Sequence, residues 1–107
     1  MKKSVTLLYK VDDCLMIEKF LAYLEAERRY SPLTVRNYRC DVVGFVAWFE
    51  SSGRGFEPKA VTADDVREWI IHRVETDHIS PASMNREISS LRAWFRYLRR
   101  QGQVEND

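Results

Sequence analysis

The sequence predicts an all-α fold, a compact four-helix bundle with no sheet, on three observations. Apolar residues recur at three- and four-residue spacing in four separate stretches, helix-starting signals stand in front of three of them, and no stretch reads as a strand. In 107 residues, 45% apolar and 31% charged, these helices suit one globular domain with a single core.

The first helix is expected over about residues 14–29, with Leu15, Ile17, Phe20, Leu21 and Leu24 in a core stripe and glutamates and arginines opposite. "SPLT" opens the second. Ser31 can cap free backbone N–H groups, and Pro32 takes the first helical position, where its missing donor does no harm. This helix should run to about Ser52, burying Val35, Tyr38, Val42, Phe45, Val46 and Phe49, until Gly53, Gly55 and Pro58 break the pattern and a loop of about eight residues follows.

"VTADDVREWIIHRVE" opens the third helix through Thr62 as cap, Asp64 and Asp65 in the first turn, and Val61 as a staple partner for Val66. Val66, Trp69, Ile70 and Val74 should face the core. "SPAS" repeats the Ser-Pro start at Ser80 and Pro81, launching a fourth helix that ends near Gly102. Across the four, the expected core is Phe20, Leu24, Tyr38, Phe45, Phe49, Trp69, Ile70, Ile88, Leu91 and Phe95.

Composition and spacing exclude several function classes. No apolar run approaches the ~20 residues a membrane span needs, and "MKKSVTLLYKVDD" lacks the apolar length and small-residue cleavage site of a signal peptide, so a cytoplasmic location is expected. Cys14 and Cys40 stand apart with no second pair, which argues against a zinc site or disulfide and reads them as small apolar residues. His72 and His78 have no nucleophile, carboxylate pair or metal-ligand spacing beside them, and "SSGRGF" lacks the strand and third glycine of a nucleotide loop. No metal, cofactor, membrane or small-molecule substrate is therefore expected.

A net charge of +1 hides a strong local imbalance. Residues 80–102 carry five arginines against one glutamate, whereas residues 53–79 carry four basic and six acidic side chains. At 100° per residue, Arg92, Arg96 and Arg100 lie along one flank of the fourth helix, with Asn85 and Ser89 among them and Arg86 a little further round. Arginine and asparagine have the fork geometry that reads guanine and adenine edges, and a lone helix fits the major groove. Early in the second helix, Arg36, Asn37 and Arg39 precede the first acid, Asp41. The two Ser-Pro starts carry hydroxyls (Ser31, Thr34; Ser80, Ser83) at helix N-termini, which suits phosphate, although ordinary capping accounts for either start taken alone. An arginine-rich face is also commonly just a solvated one, with some of its members paired to Glu87, Glu75 or Asp77.

The order of residues adds to this. Ser31, Thr34, Tyr38, Asp41 and Phe45 on the second helix, then Ser83, Arg86, Ser89 to Arg92 and Phe95 to Leu98 on the fourth, resemble the amino-terminal core-binding (SAM-like) domain of Xer-type tyrosine recombinases and phage integrases, from about residue 15 to 107. Leu33, Pro81 and the pair Val43 and Gly44 depart from that pattern. The resemblance implies a four-helix clamp whose second and fourth helices enter adjacent major grooves on one side of a recombination site in double-stranded DNA, alongside other recombinase protomers. It further implies that the family's catalytic residues belong to a carboxy-terminal domain, so that this chain is a DNA-binding part and not by itself an enzyme. Residues 1–13 would be a tail, 14–102 the core-binding domain and 103–107 the start of a linker. The DNA-facing set is then Ser31, Thr34, Arg36, Asn37, Arg39, Ser83, Asn85, Arg86, Ser89, Arg92 and Arg96, with no catalytic or metal-binding residue. The alternative is a helical protein–protein interaction module whose arginines only solubilise it and whose partner surface would show as an exposed Trp48 or Tyr97; a small enzyme fits least.

Overall fold

The computed structural model describes residues 15–102 and residue 104. The expected tail, Cys14 and the expected linker other than Val104 lie outside the described residues. Among the described residues, four α-helices and one 3-10 turn make up the regular structure: α1 over residues 15–26, α2 Pro32–Glu50, the turn Pro58–Ala60, α3 Ala63–Glu75 and α4 Pro81–Arg100. There is no strand among the described residues.

The helix starts follow from local chemistry. Ser31 Oγ accepts from the Thr34 N–H at 3.2 Å and Ser80 Oγ from the Ser83 N–H at 3.2 Å, each with proline next in the first helical position. At α3, Thr62 and Asp65 form a complete capping box, each side chain accepting from the other's backbone N–H.

The stops fall earlier than expected. Residue 26 ends α1 because Arg29 turns left-handed (φ 56°) and the Tyr30 N–H returns to the Leu24 carbonyl at 3.1 Å. The α3–α4 connector repeats that geometry at the same offset: His78 is left-handed (φ 54°), and the Ile79 N–H reaches the Arg73 carbonyl at 3.1 Å. Each connector thus runs left-handed residue, half-buried apolar residue, capping serine, proline, so α1–α2 and α3–α4 are two hairpins of one design. For α2 the end is Glu50, not Ser52, since Ser51 and Ser52 hydroxyls donate back to the carbonyls of Trp48 (2.6 Å) and Phe49 (2.9 Å). Arg100 ends α4, just before a left-handed Gly102 (φ 78°).

The core is strongly aromatic. Phe45 meets Trp69 edge-on at 5.3 Å, and Phe56, from the α2–α3 connector, stacks on Trp94 at 5.5 Å. Such pairs add ~0.5–1.5 kcal/mol beyond their buried area. Of the expected core, Phe20, Leu24, Phe45, Phe49, Trp69 and Leu91 are buried, whereas Tyr38, Ile70, Ile88 and Phe95 are half-buried at its margin. The inward face of α4 is Met84, Glu87, Ser90, Leu91, Trp94 and Leu98. It is turned away from the face centred on Ile88 and Leu91 because Phe56 covers Trp94 completely and a buried ion pair draws Glu87 inside. Leu15 and Val74, expected inside, are exposed, as is Cys40, expected to behave as a small apolar residue. Trp48 and Tyr97 are half-buried against the core.

Candidate nucleic-acid interface

Helices α2 and α4 are joined by a buried carboxylate. The Asp41 side chain is 2% exposed and accepts three hydrogen bonds, from Arg86 Nη2 (2.8 Å) and Nε (3.3 Å) and from Ser90 Oγ (2.7 Å). In the interior an unpaired carboxylate would be costly, so these donors are what allow Asp41 to sit there. The bonds in turn raise the Arg86 pKa above its ordinary value.

The network continues into α3. Arg73 donates Nε (3.0 Å) and Nη2 (2.6 Å) to Glu87 and Nη1 (2.8 Å) to Asp77, which raises its own pKa, and Arg86 also lies 3.5 Å from Glu87. Two buried carboxylates and two arginines therefore tie α2, α3 and α4 together. Sequence reasoning placed Asp41 in a family pattern and gave Glu87 only as a possible partner for the arginine face. The missed signal is helical register, since Asp41 stands three after Tyr38 and four before Phe45 on the inward line of α2.

The sequence-derived set is distributed unevenly over this frame. Arg86 keeps half its side chain exposed (52%) while two of its nitrogens face Asp41. Arg39 reaches Glu18 on α1 through a two-point contact, one arm at 2.9 Å, and that bond holds the Glu18 carboxyl below its usual range. At the α2 start, Ser31 Oγ–H donates to Thr34 Oγ1 at 3.0 Å, which leaves the Thr34 hydroxyl hydrogen free for an outside acceptor. Arg36, Asn37 and Asn85 are exposed, and Ser83 is half-buried.

Three members come together with residues outside that set. Ser89, Arg92 and Arg96 of α4 line a cradle of about 320 Å³ with Arg28 beyond α1, Arg100 at the end of α4, and Tyr23, Tyr30 and Tyr38. Arg100 Nη2 donates to the Tyr23 hydroxyl at 2.7 Å, and the guanidinium groups of Arg28 and Arg100 sit over the rings of Tyr30 (5.3 Å) and Tyr23 (5.2 Å). The Arg100 bond, with help from Arg28, lowers the Tyr23 pKa, while burial and the neighbouring Tyr30 raise that of Tyr38. On the far side, Arg92, Arg96 and Arg99 rim a more apolar groove of about 450 Å³ against Val66 and Ile70 of α3. Arg92 and Arg96 thus stand on a ridge between two grooves, and neither makes an ion pair with a described carboxylate.

Two helical hairpins locked through a buried ion pair, with a basic ridge on the last helix, define this as a SAM-like, all-helical domain. More narrowly, the chain belongs to the phage integrase N-terminal SAM-like domain family, whose match covers residues 17–102. It is similar to the tyrosine recombinase XerC of Chlorobaculum parvum (32% identity over 103 residues, 92% of this chain) and to XerC of Oceanobacillus iheyensis (38% over 93 residues, 87%). Tyrosine recombinase XerD of Lacticaseibacillus casei is 30% identical over 92 residues, 86% of this chain. The chain spans 30% of the length of each of these relatives. No solved structure matches.

Proposed function

We propose that this chain is the DNA-binding domain of a site-specific tyrosine recombinase, holding one side of a recombination site in double-stranded DNA through α2 and α4. Residues 14–102 form the binding unit, with 1–13 as a tail and 103–107 leading toward a catalytic domain of the parent protein. That catalytic domain carries the strand cleavage, and the partners are duplex DNA and further recombinase protomers. The reading rests on one observation above all. Arg92 and Arg96 project from α4 with no described carboxylate to neutralise them, in a chain whose other segments pair arginine with acid repeatedly. Family membership supports a DNA phosphate as the anion such a surface serves.

Phosphate contacts give affinity that falls with salt at a slope of about −0.9 per neutralised phosphate, and base contacts give discrimination of ~1–3 kcal/mol. Fluorescence anisotropy on recombination-site and scrambled duplexes at several salt concentrations measures both. Binding by this domain alone is expected in the micromolar range or weaker at physiological salt, near the ~10⁻⁴ to 10⁻⁶ M of non-specific binding. Arg92→Ala should lower the salt slope by about one on both duplexes if it meets phosphate, or weaken only the cognate duplex if it reads a base. A parent chain that binds neither duplex at low salt, or an Arg92→Ala chain indistinguishable from it, would overturn the proposal.

A further inference from the structure

Nine of the arginines of this domain fall into two groups. Arg54, Arg67, Arg73 and Arg86 face Asp65, Asp64, Glu87 and Asp41 respectively, and Arg39 faces Glu18. Arg28, Arg92, Arg96 and Arg100 line a single concavity, and among the described residues no aspartate or glutamate lines it with them. Four like charges gathered from distant parts of the sequence repel one another, and no described acid at the hollow compensates that repulsion.

The walls of the hollow hold these charges in place. Tyr30 and Tyr38 stack at 5.7 Å, with Arg28 over the Tyr30 ring, and Arg100 is fixed both by the Tyr23 ring beneath it and by the Tyr23 hydroxyl. The remaining polar groups here, the Ser89 and tyrosine hydroxyls, can donate to an oxyanion. A volume of about 320 Å³, at the small end of the ~300–1,000 Å³ typical of small-ligand sites, leaves ample room for one phosphate group.

We infer that this cradle is a preformed seat for one phosphate group, with Arg28 and Arg100 as ligands beside Arg92 and Arg96. The inference deepens the DNA-binding reading and rests on it for the source of the phosphate, a backbone phosphodiester of the bound duplex. In that arrangement the chain beyond α1 joins α2 and α4 in gripping DNA, and the seat fixes where the α4 ridge lies along the backbone.

The test uses the whole chain and two probes, inorganic pyrophosphate and a random-sequence duplex. In a nitrogen-15 NMR titration, pyrophosphate should shift the side-chain Nε–H signals of Arg28, Arg92, Arg96 and Arg100 saturably while leaving those of Arg54 and Arg67 in place. Arg28→Gln and, independently, Arg96→Gln should weaken pyrophosphate binding roughly ten-fold, the scale of a lost charge-assisted hydrogen bond, and each should lower the duplex salt slope by about one. Arg67→Gln should change neither. Uniform, non-saturating shifts of all arginines, or unchanged pyrophosphate affinity and salt slope in both variants, would overturn the seat. The two readings fail separately. Duplex binding insensitive to Arg28→Gln and Arg96→Gln leaves the DNA-binding reading standing without the seat, whereas saturable pyrophosphate binding without duplex binding keeps a phosphate seat and removes DNA as its source.

Discussion

Replacing Asp41 with alanine should destabilise the domain far more than a polar residue on a basic helix suggests. The substitution removes the acceptor for three hydrogen bonds and strands the Ser90 hydroxyl, whose residue is 4% exposed. An orphaned buried hydroxyl costs ~1–3 kcal/mol, and breaking a fully buried ion pair costs ~3–5 kcal/mol. Here the Arg86 side chain is 52% exposed and can turn its charge to water, so the second figure does not apply in full. We expect a loss of about 2–3 kcal/mol, a large part of the total stability of a domain this size. Urea unfolding followed by circular dichroism should show the midpoint falling with the slope unchanged. Ser90→Ala alone should cost about 1 kcal/mol, and the double variant should cost less than the sum, because Ser90 has nothing left to lose once Asp41 is gone. A loss below about 0.5 kcal/mol for Asp41→Ala, or strict additivity with Ser90→Ala, would refute this account of how α2 is held to α4.

Two further outcomes follow from single positions. His78→Gly should stabilise the chain by ~0.5–1 kcal/mol in the same urea assay, since φ 54° strains any residue with a Cβ and glycine carries no such penalty. At the α3 start, the hydrogen bond from Arg54, with those from Thr62, depresses the Asp65 pKa. The stability it contributes is therefore present above the unfolded carboxyl value near ~3.9 and lost as pH falls through the lower folded value. Asp65→Asn should flatten the acid limb of stability below about pH 4, and an unchanged acid limb would count against the Arg54 and Thr62 bonds as its origin.

Among the site residues, Ser89 and Arg92 could be placed on one flank of α4 by counting, because residues three apart share a face of any helix. Arg28 could not be placed with them. It lies in a stretch of zero net charge, residues 14–30, and only the packing of the end of α1 against α4, through Tyr23 on Tyr97 and Arg100, brings it there. The ridge was therefore legible and the cradle was not.

By itself, the sequence determined the four helices, where three of them start and the family to which the chain belongs. Capping and periodicity act over three or four residues, so Ser31, Thr62 and Ser80 announce their helices whatever the rest of the chain does. Only the tertiary structure decided which way α4 faces and which charges are spent on holding the bundle together. Phe56 reaches Trp94 and Asp41 reaches Arg86 across long stretches of chain. Spacing along a helix cannot encode such meetings, because burial and ion pairing depend on distance through space, and in this domain that distance is set by the two connectors that fold the hairpins together.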